Sequence, residues 1–377
     1  MTDIESIFET MRNALSAGPV RIKEAVDEGR KIVGCYCAYT PYEVIRATGA
    51  IPVTLCSTSD KPIAAGEEHL PRNLCPLIKS SYGFALTDTC PYFHFCSIVI
   101  GETTCDGKKK MYELLNRLRP THVMQLPQTY ATESIALWKA EIERLARRLE
   151  TELGVTITES DLKREISKRN TERRVMGDFY ALSTLNPAPL SGLELNLVNE
   201  FFKVSFGDEK ALELVRELTK ALRENYEEGE RRVAPRKRII VTGCPTGKSL
   251  EKVFNAIEEN GGTIVAFENC GGIKPNYELV DETRPPYDAL AEKYLGIPCS
   301  CMSPNNKRLD LLEKLVADYH ADGVVDIILQ ACHTYNVETF LVRERLKIPY
   351  IAVETDYYQS DVEQLSTRMG AFIEMMN

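Results

Sequence analysis

Ser97-Ile-Val-Ile-Gly101-Glu-Thr-Thr-Cys-Asp-Gly107 joins an aliphatic run to a polar loop that carries a cysteine. An unbroken apolar run bounded by a glycine suits a strand covered on both faces, as in a parallel sheet. Helical spacing follows over 108–118, and a further strand over 121–126. Strand, loop, helix and strand in that order imply parallel pairing with right-handed crossovers. On the N-terminal side, 2–30 is helical, Lys31–Tyr39 is β-rich, Pro41 opens a helix over Tyr42–Gly49, and Ile51–Leu55 is a strand. A helix over 71–87 starts around Pro71 and Cys75-Pro76.

Residues 131–235 differ. They are charged, helix-forming and free of cysteine, with helices expected over Ala136–Leu153, Glu159–Tyr180 and Lys210–Tyr226. Pro235 and the basic run Arg231, Arg232, Arg236, Lys237 and Arg238 mark the exit. The α/β pattern then returns. Strands are expected over Arg238–Gly243, Gly262–Phe267, Val325–Leu329 and Tyr350–Val353. Helices are expected over Lys248–Asn260, Pro286–Leu295, Asn306–His320, Val337–Leu346 and 361–376. The reading is α/β: domain I over 1–130, a helical insert over 131–235, and domain II over 236–377, the two α/β halves forming a degenerate repeat.

A chain of 377 residues suits two or three domains. An apolar fraction of 44% is that of a soluble globular protein. Met1–Leu15 lacks a basic region followed by an apolar run, so no signal peptide is expected, and no stretch approaches the roughly 18 apolar residues of a membrane span. A net charge of −9 argues against nucleic acid. The expected location is cytoplasmic, where thiols stay reduced. Twelve cysteines then favour metal or redox chemistry over disulfides.

The placement of those cysteines carries the functional reading. Cys37 and Cys244 follow the first strand of each half, Cys56 and Cys270 the second, and Cys105 and Cys332 a later one, while Cys75 and Cys301 precede helices. Open parallel sheets build sites beyond the carboxyl ends of their strands. Cys90 and Cys96 fall at the opposite end, as structural thiols. Zinc-type Cys-x2–4-Cys pairs and ferredoxin-type runs are absent, so any ligands converge from distant loops. Cys35-x-Cys37 and Cys299-x-Cys301, if extended, turn both thiols one way. Each pair is either two ligands or, as favoured here, one ligand and one packed thiol. Glycines in Thr242-Gly-Cys-Pro-Thr-Gly247, Cys270-Gly-Gly272 and Cys105-Asp-Gly107 suit turns that need positive φ or close backbone approach. Gly243–Ser249 imitates a phosphate loop, but only three residues separate its glycines where the motif needs four. His333, next to Cys332, is the candidate proton carrier; Glu102, Lys79 and Tyr39 also lie near the expected edge.

Tyr39-Thr-Pro-Tyr-Glu43, Leu70-Pro-Arg-Asn-Leu-Cys-Pro-Leu-Ile-Lys-Ser-Ser81, Gly101-Glu-Thr-Thr-Cys-Asp-Gly-Lys108 and Leu329-Gln-Ala-Cys-His-Thr-Tyr-Asn336 resemble the 2-hydroxyacyl-CoA dehydratase component D superfamily over nearly the whole chain. The resemblance implies two Rossmann-like domains whose parallel sheets face a shared iron–sulfur site, with a [4Fe–4S] cluster on the positions matching Cys75, Cys105 and Cys332. Extra cysteines in Glu268-Asn-Cys-Gly-Gly272 and Cys299-Ser-Cys-Met-Ser303 are similar to the double-cubane cluster protein branch. That branch holds an [8Fe–9S] double cubane on six cysteines. A separate iron–sulfur ATPase supplies its electrons, and it reduces small molecules such as acetylene, azide or hydrazine.

On that resemblance the expected ligands are Cys75, Cys105, Cys332, Cys270, Cys301 and a sixth, Cys37 or Cys244, with Cys37 preferred. Iron–sulfur potentials reach about −700 mV against about −400 mV for plant-type ferredoxins. Lifting one electron by roughly 300 mV costs about 7 kcal/mol. With no intact phosphate loop here, ATP acts on a partner. The leading expectation is an ATP-dependent reductase of small molecules, active as a homodimer under anaerobic conditions. A 2-hydroxyacyl-CoA dehydratase subunit with one [4Fe–4S] cluster is the alternative, and a non-catalytic cluster carrier the third reading.

Overall fold

The computed structural model describes residues 4–232 and 236–376, so Pro235 lies outside the described residues. Its eight strands form two four-stranded sheets in which every pairing is parallel. In the first sheet, β1 (Ile32–Cys35), β2 (Ile51–Thr54), β3 (Cys96–Glu102) and β4 (Thr121–Met124) run in the order β2-β1-β3-β4. In the second, β5 (Lys237–Gly243), β6 (Gly262–Glu268), β7 (Gly323–Leu329) and β8 (Tyr350–Thr355) run β6-β5-β7-β8. The order is the same in both, so the repeat read in the sequence is a repeat of topology. The strands alternate with helices as in Rossmann-like domains, and β6 and β7 are buried along their whole length, as their aliphatic runs require.

The described residues form two compact units. One holds the first sheet and comprises Ala17–Arg173 and Glu278–Asn305. The other holds the second sheet and comprises the described residues of Met1–Ser16, Arg174–Tyr277 and Asn306–Asn377. The unit boundaries therefore do not fall at 130/131 and 235/236. Helix Thr132–Leu153 and most of Glu159–Ala181 belong with the first sheet, whereas Gly192–Lys203 and Glu209–Glu227 belong with the second.

Packing explains why 278–305 joins the first sheet. Leu290 and Leu295 of helix Pro286–Leu295 share one core with Trp138, Ile142 and Leu145. Lys139 Nζ lies 2.9 Å from Asp288 Oδ1, and Val280 N donates to Asn170 Oδ1 at 2.9 Å. Helix Gly192–Lys203 is not among the expected elements. Its signal is Ser191-Gly-Leu-Glu194, which closes a capping box. The helix expected over Lys248–Asn260 begins as a 3-10 turn, Lys248–Leu250, before Glu251–Glu259. No helix of the described residues is long and apolar enough to cross a membrane.

Each unit buries charge. In the first, fully buried Glu43 receives Arg173 Nη2 at 2.8 Å and the Tyr294 hydroxyl at 2.6 Å, which ties the two chain segments of that unit. Arg173→Met should lower stability by about 3–5 kcal/mol, because it leaves a buried carboxylate without its cation. Urea denaturation checks this, and a loss below about 1 kcal/mol would show that the pair contributes little.

His122 on β4 is 7% exposed, and its Nε2 has no hydrogen-bond partner. Burial first, and then the Arg144 guanidinium, push its pKa down to about 4. The unfolded chain therefore takes up this proton near its ordinary value of 6.5, before the folded one does. Stability should be full above about pH 6.5 and fall toward pH 4, by up to about 1.4 kcal/mol per pH unit. His122→Gln should flatten this part of the profile. Parallel denaturation profiles for the two proteins between pH 7 and 4.5 would contradict the assignment.

Candidate functional site

The cysteines in the three sequence motifs share a local structure. Cys75 is the N-cap of helix Pro76–Leu86, Cys105 of Asp106–Leu115 and Cys332 of His333–Arg345. In none of them does the side chain cap the helix. The contrast is Cys90, N-cap of the short helix Pro91–Phe95, whose sulfur accepts from Phe93 N at 3.5 Å. A helix N-terminus carries about half a positive charge and favours thiolate over thiol. Three sulfurs therefore stand at positive helix ends without being consumed as caps. Ala331, just before Cys332, has φ +57°, a conformation costing about 1–2 kcal/mol for a side-chain-bearing residue.

At the first sheet's carboxyl edge, Cys75 and Cys105 come from neighbouring loops. A Cβ on Gly107 would sit 2.7 Å from Ile78 Cδ1 and 2.9 Å from Leu74 Cδ1, so the two loops approach each other closely here. Lys108, buried in the first turn of its helix, donates to Tyr36 O at 2.7 Å and to Cys56 Sγ at 3.9 Å. Burial disfavours its charge, but the charges of Cys56, Tyr112, Cys37 and Cys105 outweigh this and hold its pKa well above the ordinary lysine range. Glu102 ends β3 fully buried, accepts from the Thr40 hydroxyl through Oε1, and leaves Oε2 without a partner. Burial raises its pKa to about 7, against the pull of Thr40 and Lys108.

The paired cysteines depart from the extended geometry. β1 ends at Cys35, which is buried, and Cys37 lies in the bend beyond it, half-buried. Cys299 and Cys301 occupy a turn closed by Met302 N on Cys299 O at 2.9 Å. A hydrogen bond with Cys299, and then burial, push the Cys301 thiol well above its ordinary range. Its sulfur is 3.8 Å from the Tyr39 hydroxyl, which donates to Ile297 O at 2.8 Å. Cys301 thus sits with the first sheet, although in the chain it lies between β6 and β7. Lys79 is engaged by Glu67 Oε1 and Arg72 O, both at 2.8 Å, which suits a loop anchor.

At the second sheet's edge, Cys270 follows β6 half-buried and Cys332 follows β7 half-buried. Cys244 is 1% exposed, and Leu329 N donates to its sulfur at 3.3 Å. Of the glycines in the cysteine turns, Gly243 takes positive φ, +102°, with Ile327 O only 2.2 Å from where a Cβ would be. Gly272 is required instead by Phe267 O at 2.2 Å. The near-phosphate-loop is extended at Gly247, φ −171°, and its Lys248 is exposed. His333 is the first residue of its helix and is exposed.

The expected ligands therefore divide into Cys37, Cys75, Cys105 and Cys301 in one unit and Cys270 and Cys332 in the other. All twelve cysteines are free thiols. Among the described residues no three His, Cys, Asp or Glu side chains are gathered as a metal-holding group. Cys96 begins β3 opposite Ile32, at the amino end, and its thiol donates to Tyr92 O at 3.1 Å. What the sequence reading missed is that Cys105 and Cys332, like Cys75, directly precede their helices, and that Lys108 turns inward.

Residues 37–376 match the family model described as 2-hydroxyglutaryl-CoA dehydratase, D-component. The chain is 50% identical to YjiM of Escherichia coli (strain K12), which carries a dehydratase-subunit name, over 100% of this chain and 99% of that one. It is 25% identical to the (R)-phenyllactyl-CoA dehydratase beta subunit of Clostridium sporogenes, over 100% of both chains. It is 20% identical to the (R)-2-hydroxyglutaryl-CoA dehydratase subunit beta of Acidaminococcus fermentans, over 99% of this chain and 100% of that one. A match across almost the whole chain, on a fold with two sheets of the same strand order, makes this protein a member of the 2-hydroxyglutaryl-CoA dehydratase D-component family.

Proposed function

We propose that the chain is the thiol-bearing subunit of a dehydratase that removes water from a 2-hydroxyacyl-CoA thioester. The observation that carries this reading is the set of three motif cysteines, each at a helix N-terminus and none used as a cap. The names of full-length relatives support the substrate class. They move the dehydratase ahead of the small-molecule reductase, which was the leading expectation from Cys270, Cys301 and the resemblance they carry.

The donor set fits an iron–sulfur cluster. Thiolates are soft ligands, positive helix ends favour the anionic form, and buried Lys108 adds a cation beside Cys37 and Cys105. Cys75, Cys105 and Cys332 are the proposed ligands of a [4Fe–4S] cluster. When bound, the cluster would supply one electron transiently to the thioester. The chain's own groups handle the proton. Glu102, with a pKa near 7, can hold one at neutral pH beside the edge, and His333 is the exposed imidazole next to Cys332. A hydroxyacyl-CoA becomes an enoyl-CoA and water, with no net consumption of electrons. An iron–sulfur ATPase acts as the electron donor in this reading, the active form pairs two subunits, and the setting is the reducing cytoplasm.

The second reading keeps the double cubane and the reduction of acetylene, azide or hydrazine. Cys270 and Cys301 favour it, with Cys37 as the sixth ligand. Cys37 is preferred to Cys244 because it is half-buried in the bend after β1, whereas Cys244 is 1% exposed.

Iron analysis of anaerobically prepared protein should give about four irons per chain for the single cluster and about eight for the double cubane. Zinc alone, or no metal after reconstitution, would remove both. Cys105→Ala and Cys332→Ala should lose most of the iron while Cys90→Ala retains it, since Cys90 already serves its own helix. Equal losses in all three would refute the ligand assignment.

Electron balance separates the two chemistries. With a reduced, ATP-hydrolysing partner and a 2-hydroxyacyl-CoA, many molecules of enoyl-CoA should form per electron supplied. Stoichiometric electron consumption with acetylene or azide, and no dehydration, would establish the reductase instead.

A further inference from the structure

Lys108 is a buried cation whose companions are thiols. Its side chain turns inward from the first turn of helix Asp106–Leu115 and is 8% exposed. Lys79, Lys252 and Lys274, comparably buried, each meet a carboxylate: Glu67, Asp361 and Glu268. Lys108 meets the Tyr36 carbonyl at 2.7 Å and Cys56 Sγ at 3.9 Å, and among the described residues no carboxylate lies within ion-pair distance of it. Glu102, on the adjacent strand end, is engaged by Thr40. An ammonium taken out of water without an anion costs several kcal/mol. The Lys108 charge is felt by Glu102, whose pKa it lowers, but the two make no ion pair, so its position calls for more negative charge than that carboxylate supplies.

The chain path brings the loops of three cysteines to it. Tyr36 immediately precedes Cys37, Cys56 follows β2, and Cys105 lies one helical turn before Lys108. One ammonium thus joins the loops after β1 and β2 to the helix that follows β3. We propose that Lys108 is the fixed counter-charge of the thiolate-bound group at this edge and sets its reduction potential. This rests on the iron–sulfur reading above. Adding an electron to a thiolate-bound cluster adds one negative charge, and a fixed cation nearby stabilises that reduced state more than the oxidised one. Lys108 is a positioning and tuning residue here, not a ligand.

The test uses full-length protein loaded anaerobically with iron and sulfide, as wild type, Lys108→Met and Lys108→Arg. Iron content, thermal unfolding and a dithionite redox titration followed by electron paramagnetic resonance are measured on each. Lys108→Met should keep its iron and shift its midpoint to more negative potential, whereas Lys108→Arg should stay near wild type. Loss of iron in Lys108→Met alone, with Lys108→Arg loaded and at the wild-type midpoint, also supports a requirement for charge. A fully loaded Lys108→Met with an unchanged midpoint overturns the proposal. Equal loss of iron in both variants overturns it too, by making Lys108 a packing strut. Wild-type protein that takes up no iron overturns the iron–sulfur reading itself, and this inference with it.

Discussion

Parallel pairing is the constraint from which the candidate site follows. When all strands of a sheet run the same way, every strand-to-helix loop emerges at one edge. Cys35 pairs with Thr54 on one side and Ile100 on the other, so Cys37, Cys56 and the loop carrying Cys105 lie along one edge. Thr242 pairs with Glu268 and Gly243 with Ile327, which does the same for Cys244, Cys270 and Cys332. Because the two sheets share a strand order, the same loops carry thiols in both units. An antiparallel arrangement would scatter these cysteines between opposite ends, where Cys96 now stands apart.

An edge built this way must also be held still, and both units do so with buried charge. In the second, Arg308 is fully buried and reaches Thr242 Oγ1 at 2.8 Å, Glu268 Oε2 at 3.4 Å and the Glu338 carboxylate. Lys274 Nζ lies 2.9 Å from Glu268 Oε1 and donates to the Tyr335 hydroxyl at 3.2 Å. Thr242 and Glu268 each lie two residues before a cysteine, while Tyr335 and Glu338 lie on the helix that begins directly after Cys332. Such networks add little net stability over an apolar core, since desolvation offsets the attraction. What they contribute is a single geometry, because any shift leaves a buried charge unpaired.

The strands, and with them the α/β class and the repeat, were legible because buried parallel strands read as aliphatic runs that local chemistry alone reveals. Helix ends were less so. Cys105 as an N-cap is invisible in the sequence, since cysteine is not a usual cap and the capping here uses no side-chain hydrogen bond. The grouping of elements was harder still. Residues 278–305 follow β6 in the chain yet pack on helix Thr132–Leu153 through Leu290 and Leu295. That choice depends on complementary side-chain shapes far apart in sequence, which periodicity does not encode.

The double-cubane reading comes from Cys270, Cys301 and the resemblance they carry, not from the number of cysteines, and the remaining thiols show why number alone is a poor guide. Several of the additional thiols have local partners that account for them without any metal. Cys35 donates to Val33 O at 3.7 Å, Cys56 to Tyr36 O at 2.9 Å and Cys96 to Tyr92 O at 3.1 Å, while Cys90 and Cys244 accept from backbone N–H groups. A buried thiol with such a partner behaves as a small polar-tipped hydrophobe. The motif cysteines differ not in being more numerous but in where the backbone puts them. Each stands at the positive end of a helix, and none caps that helix through its side chain. An electropositive position suited to a thiolate, rather than abundance, separates a cysteine fit to hold a metal from one that fills space. By that measure Cys75, Cys105 and Cys332 form a set of their own, and Cys301, hydrogen-bonded to Cys299 and Tyr39 in a buried turn, does not join it on the same grounds.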